Sequence, residues 1–352
     1  MTATDILDTK DVIEGIKHQA EHCERNGAPV TGRIVRAQIP LMDDDSDTSK
    51  RLNTWQGKVL EDALPLRLAG GFHHLHLTGA DDRLGPIYAG DIDDQNDVNG
   101  IIAAIAAEHD ATLLPWFESP PQTNEAGRSA SFMAGLKWLS GKLDPKFELN
   151  ELGASAGINT MMDRYHYDLG GVTAGLESSP MQIKPEWRGP PPPDNPVKIV
   201  SIQGCDQQVI DLSDPASALR VKSYVWPENK PRLARMDAAI KLASERAPKL
   251  TQADAADWVE ERLAAPQEAG VTRVFNHSIV WQYIPEERRA RIRDALYTAG
   301  EKATADKPLA WMSLETNRKT FRHELKIRYW PGQEETALLG QAQAHGTWVE
   351  WF

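Results

Sequence analysis

Apolar residues recur at Val12, Ile16, Ala20 and Cys23, a spacing that lines one face of a helix over residues 11–23. The same period predicts helix over residues 52–77 and 99–109, and over 124–139 it sets Phe132, Met133, Leu136 and Leu139 on one side. The acidic run 43–47 interrupts these stretches as a solvated loop, so the first 140 residues are expected to be mostly helical. After Leu143-Asp144-Pro145 the period changes. Residues 147–152 alternate as a short strand, a glycine loop follows, and residues 158–165 read as the opening of a helix. Strand-like runs return at 197–202, 271–275, 309–314, 325–329 and 346–352, with helical stretches at 232–247, 255–263 and 285–299 between some of them.

Strands alternating with helices imply an α/β fold with a mainly parallel sheet covered on both faces. The last two runs have no long helix between them, which predicts an antiparallel hairpin at one edge. Residues 170–196 are irregular and end in four consecutive prolines, an extended segment that cannot be helix. The expected organisation is a helical lobe over 1–143 and an α/β domain over 144–352, with an insertion near 170–196.

A chain of 352 residues is long enough for two packed lobes. No apolar run approaches the roughly 18 residues of a membrane span. Met1-Thr2-Ala3-Thr4-Asp5 lacks the basic start of a secretory leader, so a cytoplasmic protein is expected. Two cysteines, Cys23 and Cys205, supply neither a disulfide framework nor a metal cluster. A formal net charge of −12 and the absence of a basic run argue against a nucleic-acid partner. A small-molecule substrate is the expected partner. The eleven tryptophans are read mainly as core, with a few available to line a pocket.

Candidate chemistry centres on Gly153-Ala154-Ser155-Ala156-Gly157. It matches G-x-S-x-G, the elbow that presents a nucleophilic serine, but that elbow has several strands and an oxyanion-hole loop before it. Here helical sequence precedes it. Asp206, Asp254, His277 and His345 follow, so a Ser155 triad stays open. The other reading is a turn whose glycines let backbone approach a ligand, with free N–H groups at the following helix start. Glu151, just before it, would meet a cationic ligand group. Gly153 and Gly157 would equally permit close helix–strand packing.

Further polar residues fall at expected strand ends. Asp206 is placed to take ribose hydroxyls and Asp254 a base amine, although each also suits a helix cap. Asn276-His277-Ser278 and Glu315 lie at the same edge, where His277 would work as a base near neutral pH or bond to backbone. Gln122, Asn124, Glu125 and Arg128 open the last helix before the sheet, as a lid or substrate contact or as a polar start with a Glu125–Arg128 pair. His73-His74-x-His76 has no acid at matching spacing, and no metal is expected there.

The combination of Gln122-Thr123-Asn124-Glu125-x-Gly127-Arg128, Glu151–Asn159, Asp163-Arg164-Tyr165, Gly204-Cys205-Asp206, Val225-Trp226-Pro227, Arg232-Leu233, Phe275-Asn276-His277-Ser278, Leu314-Glu315 and His345-Gly346 resembles a bacterial family, domain of unknown function 2332. The resemblance covers nearly the whole chain. It implies a Rossmann-like fold of the class I S-adenosylmethionine-dependent methyltransferase type. Glu151, Gly153, Ser155, Gly157 and Asn159 would then cradle the methionine end of the cofactor, Asp206 would hold its ribose and Asp254 its base. His277 would be the base, with Asn276 and Ser278 beside it, and the helical lobe would set specificity for a small methyl acceptor. A serine hydrolase using Ser155 with His277 or His345, and a non-catalytic ligand sensor, are the other expectations.

Overall fold

The computed structural model describes residues 9–122, 124–332 and 335–352; residues 1–5, read above for a leader, and Thr123 of the 122–128 motif lie outside the described residues. Two compact units form, one of Met1–Thr123 with Pro215–Asp237 and one of Asn124–Asp214 with Ala238–Phe352.

The first unit is helical. Its longer helices are α1 (Val12–Arg25), α2 (Pro29–Arg36), α3 (Leu64–Leu77), α4 (Gln95–Glu108) and α6 (Pro215–Ser223), counted in chain order with α5 belonging to the second unit. Asp11 starts α1 by accepting from Glu14 N at 2.9 Å, and the stripe Val12, Ile16, Ala20 and Cys23 is buried as its spacing predicts. The single helix expected over 52–77 is instead two. Asp47–Asn53 ends at Thr54, Trp55 Nε1 donates to Asp62 across a turn at 3.0 Å, and α3 restarts with Pro65 in its first turn. Helix α6, unassigned from sequence, returns far along the chain to this unit. The side chain of Glu228 accepts from Thr31 N at 2.8 Å and from Thr31 Oγ1 at 2.7 Å, tying the returning segment to α2.

The second unit begins with α5 (Ser129–Ser140), whose residues are nearly all buried. The division therefore falls at Asn124 and not at residue 143. The sequence period changes only where the first strand starts, whereas α5 already packs on the sheet, with Gly135 against Met312 and Ile327.

Nine strands form the main sheet: β1 (Lys146–Leu152), β5 (Glu186–Arg188), β6 (Lys198–Asp206), β7 (Leu250–Gln252), β8 (Thr272–Ser278), β9 (Leu309–Thr316), β10 (His323–Trp330), β11 (Ala337–Ala342) and β12 (Trp348–Trp351). Their order is β5-β12-β11-β10-β9-β8-β1-β6-β7. From β9 to β7 all neighbours are parallel, and β9 to β12 is an antiparallel meander. Helices α7 (Lys230–Glu245), α8 (Ala255–Ala264) and α9 (Glu286–Glu301) lie between strands in sequence. The chain order reverses between β1 and β8, because β6 and β7 lie on one side of β1 and β8 and β9 on the other.

Three further expectations are corrected. The final hairpin does not form between 325–329 and 346–352, because β11 is inserted between β10 and β12. Its residues, Ala337-Leu338-Leu339-Gly340-Gln341-Ala342, carry no β-branched or aromatic side chain to announce a strand. Residues 158–165 form only a 3-10 turn, Asn159–Arg164. Arg164 donates to the carbonyls of Leu242 at 2.6 Å and Arg246 at 2.9 Å, and the chain then leaves the turn to enter β2 (His166–Leu169). The irregular insertion is in part a second sheet, in which β2 pairs with β3 (Val172–Gly175) and β4 (Gln182–Ile183).

Candidate functional site

In the parallel register, Glu151 at the end of β1 stands opposite Gly204 of β6 and Asn276 of β8. This is the switch point, the place in an open parallel sheet where the loops leave toward opposite sides. Glu151 is 2% exposed, and burial pushes its carboxyl up to about 8, against the pull of Asn159 and Arg128. The Asn159 amide is near enough to oppose that shift but not aligned for a hydrogen bond: Glu151 Oε2, both polar atoms of the Asn159 amide and Oδ1 of Asn276 are buried and make no hydrogen bond of good geometry. A buried, unpaired polar atom costs about 1–3 kcal/mol. Four of them at one sheet edge need an explanation.

The glycine loop is held mostly by this chain's own atoms. Asp206 Oδ2 accepts from Ser155 N at 2.8 Å and fastens the loop, while its Oδ1 accepts from Gln208 N at 2.9 Å in the turn that follows β6. Gly153 has φ 67°, and a Cβ there would lie 2.3 Å from a methyl of Val280. Gly157 has φ 71° and faces Pro248. The loop also rests on Gly204, where a Cβ would come within 2.5 Å of that of Ala154. Close packing thus accounts for much of the glycine pattern. Ser155 itself takes φ 52°, a conformation uncommon outside glycine. The helix start expected to offer free N–H groups is absent. Ile158 N instead donates to the buried Asn124 side chain at 2.8 Å.

The 124–128 segment reaches the same edge. Arg128 donates to the carbonyls of Ala344 at 2.8 Å and Ser278 at 3.4 Å, and Glu125 accepts from Gly127 N at 3.1 Å. Gly127 and Gly346 meet backbone to backbone, leaving no room for a Cβ on either. Gln122 belongs to the helical unit and is half-buried. Asp254 caps α8, accepting from Ala256 N at 2.9 Å and Asp257 N at 3.3 Å, with Arg288 at 3.5 Å. That is the helix-cap alternative to base recognition.

His277 is committed on both sides. Trp311 Nε1–H, which can only donate, reaches His277 Nε2 at 3.0 Å, so the ring proton sits on Nδ1 and is donated to Glu315 at 2.7 Å. This leaves no lone pair for the base role expected from sequence. The same Glu315 oxygen accepts from Val280 N at 3.1 Å and Trp281 N at 3.3 Å. It thereby holds the turn at Ile279, a β-branched residue with φ 51°. Trp281 stacks on His277 at 4.8 Å. Glu315, His277 and the two tryptophans therefore brace Val280 against Gly153.

Beneath the site lies a polar network that sequence reading missed. Arg273 of β8 is fully buried and donates to the carbonyls of Arg262, Ala265 and Pro266 at 2.6, 3.0 and 2.8 Å, and to Glu148 of β1 at 3.3 Å. Its signal was a charged residue inside a strand whose neighbours are apolar.

In the helical unit, His73 is buried and shares its cavity with Thr31, Tyr88, Tyr224 and Trp226. The cavity holds about 20 Å³, room for a water or two. The His73 and His76 rings stack at 6.3 Å, and burial lowers the pKa of His73 to about 4. Among the described residues no helix is long and apolar enough to cross a membrane.

Motifs far apart in sequence therefore converge at the carboxyl ends of β1, β6, β8 and β9. A family profile described as an uncharacterised protein conserved in bacteria, domain of unknown function 2332, matches residues 14–351. Neither a curated protein nor a solved structure matches the chain. With the profile spanning almost its full length, the chain belongs to the domain of unknown function 2332 family.

Proposed function

We propose that the chain binds S-adenosylmethionine at the carboxyl ends of β1 and β8 and serves as a methyltransferase for a small molecule. The observation that carries this reading is the set of buried polar atoms at Glu151, Asn159 and Asn276 that make no well-formed hydrogen bond within the protein. An ammonium group would satisfy Glu151 Oε2, and a carboxylate would accept from the Asn159 amide. The amino-acid end of S-adenosylmethionine offers both. When bound, its sulfonium supplies an electrophilic methyl group.

The fit is good at Glu151, Asn159 and Asn276 and poor elsewhere. Asp206 already accepts from Ser155 N and Gln208 N, so a ribose hydroxyl would have to share its remaining lone pairs, and Val280 already fills the space over Gly153. In this reading the chain's own residues mainly bind and orient. Methyl transfer needs alignment first and a base only where the acceptor must lose a proton. His277 acts as a strut for Glu315, not as that base.

A carboxyl raised to about 8 is largely protonated at neutral pH. Pairing with an ammonium ionises it, so each binding event releases a proton and affinity rises with pH by up to about tenfold per unit below 8. Calorimetric titration with S-adenosylhomocysteine, which keeps the ammonium, at pH 6.5 and 7.5 tests this. Micromolar binding that strengthens with pH and weakens at least tenfold in Glu151→Gln is the expected result. No binding up to millimolar concentration overturns the reading, and binding with no transfer to any acceptor leaves a ligand sensor.

The positive φ of Ser155 favours one second reading, a hydrolase with a strained nucleophile. A fluorophosphonate probe that labels the protein but not Ser155→Ala would select it.

A further inference from the structure

The strands β9 and β10 are joined by a hairpin at residues 317–322, directly beyond Glu315 and Thr316. Arg318, Lys319 and Arg322 are exposed there, and Phe321 between them is 77% exposed. Three cations in five residues stand against a formal net charge of −12 for the chain. The acid that follows, Glu324, is buried and already held by Lys326 at 2.6 Å and by the Asn317 amide at 2.7 Å. Among the described residues none pairs a carboxylate with Arg318, Lys319 or Arg322. Arg322 lies 5.5 Å from the ring centre of Trp348.

The hairpin tip is also built to present Phe321. Its backbone has φ 55°, a conformation that bulky side chains rarely adopt, and its N–H closes the turn onto Asn317 O at 2.7 Å. At the base, His323 bonds to Thr316 Oγ1 at 2.9 Å, and burial, aided by Arg128 and opposed by Glu315, lowers its pKa. Adjacent strands lie about 4.8 Å apart, so two steps along the sheet, roughly 10 Å, separate β9 from β1.

We infer that the ligand taken at this edge is a small anion, a phosphate or carboxylate on an aromatic body, drawn in by Arg318, Lys319 and Arg322 and packed on Phe321. Guanidinium groups offer the paired donors that such oxyanions take, and an exposed aromatic face adds affinity for a flat apolar body. The inference rests on the carboxyl edge being the ligand site and is independent of which cofactor binds at Glu151.

The test titrates the full chain with phenyl phosphate, benzoate and neutral benzyl alcohol, at low salt and at 0.3 M salt. The variants are Arg318→Gln/Lys319→Gln/Arg322→Gln together and Phe321→Ala alone, all at an exposed tip. One or both anions should bind and the alcohol should not, and which anion binds separates phosphate from carboxylate. Affinity should fall about tenfold in the triple variant and at high salt, and about threefold in Phe321→Ala. S-adenosylhomocysteine affinity should be the same in the wild type and the triple variant. Equal anion binding by the wild type and triple variant, or none by either, overturns the inference. So does tighter binding of a single-stranded oligonucleotide than of either anion. Salt-sensitive anion binding with no S-adenosylhomocysteine binding would overturn the cofactor reading and leave this one standing.

Discussion

Glu151 carries the clearest consequence at the scale of one residue. Its folded pKa, about 8, lies above the ordinary carboxyl value because burial disfavours the charge. A raised pKa means that the folded state holds the proton more tightly than the unfolded chain. Holding its carboxyl protonated therefore carries no ionisation cost below about pH 4.5, and the fold is destabilised progressively as pH rises toward 8. Glu151→Gln should match the wild type in thermal unfolding at pH 4.5 and exceed it at pH 8 by an amount of the order of a few kcal/mol. An unchanged difference across that range would mean that Glu151 is ionised in the fold. The residue was legible in sequence as an acid before a glycine turn. Its isolation was not, because β6 and β8, which bury it, lie more than 45 residues away.

At the scale of elements, the glycine loop and the 279–281 turn form one locked pair. Gly153 is left-handed and faces Val280, while Glu315 pins the turn that carries Val280. Gly153→Ala should lower stability by about 2–3 kcal/mol, combining the φ penalty with the clash. Adding Val280→Ala should recover part of that loss and not all, since only the clash is relieved. Denaturant melts of the single and double variants check it, and full recovery would show that the left-handed backbone carries no cost. Sequence alone showed two glycines around a serine. It did not show that the space beside one of them is filled by a side chain 127 positions later, because such packing follows from register, not from local pattern.

Across the whole molecule, the chain leaves its helical unit at residue 123 and re-enters it at Pro215. Glu228 fastens the return by its two bonds to Thr31. Glu228→Ala should raise amide hydrogen exchange over α2 and α6, with a loss of about 1–3 kcal/mol there, and leave β1 and β8 unchanged. Exchange rising evenly over the chain would show that the two units open together. The periodicity from residue 12 onward determined the helical character of the first unit, and alternation with β-rich runs determined an α/β second unit, because burial of one face imposes its period on the local sequence. The turn residues likewise marked the glycine loop that follows β1. Only the tertiary structure decided that α6 returns to the first unit, that β11 splits the expected hairpin, that Asp206 clamps the loop and that Trp311 takes the lone pair of His277. Each of those depends on partners brought together by chain reversals and strand register, which a one-dimensional pattern of polar and apolar positions does not specify.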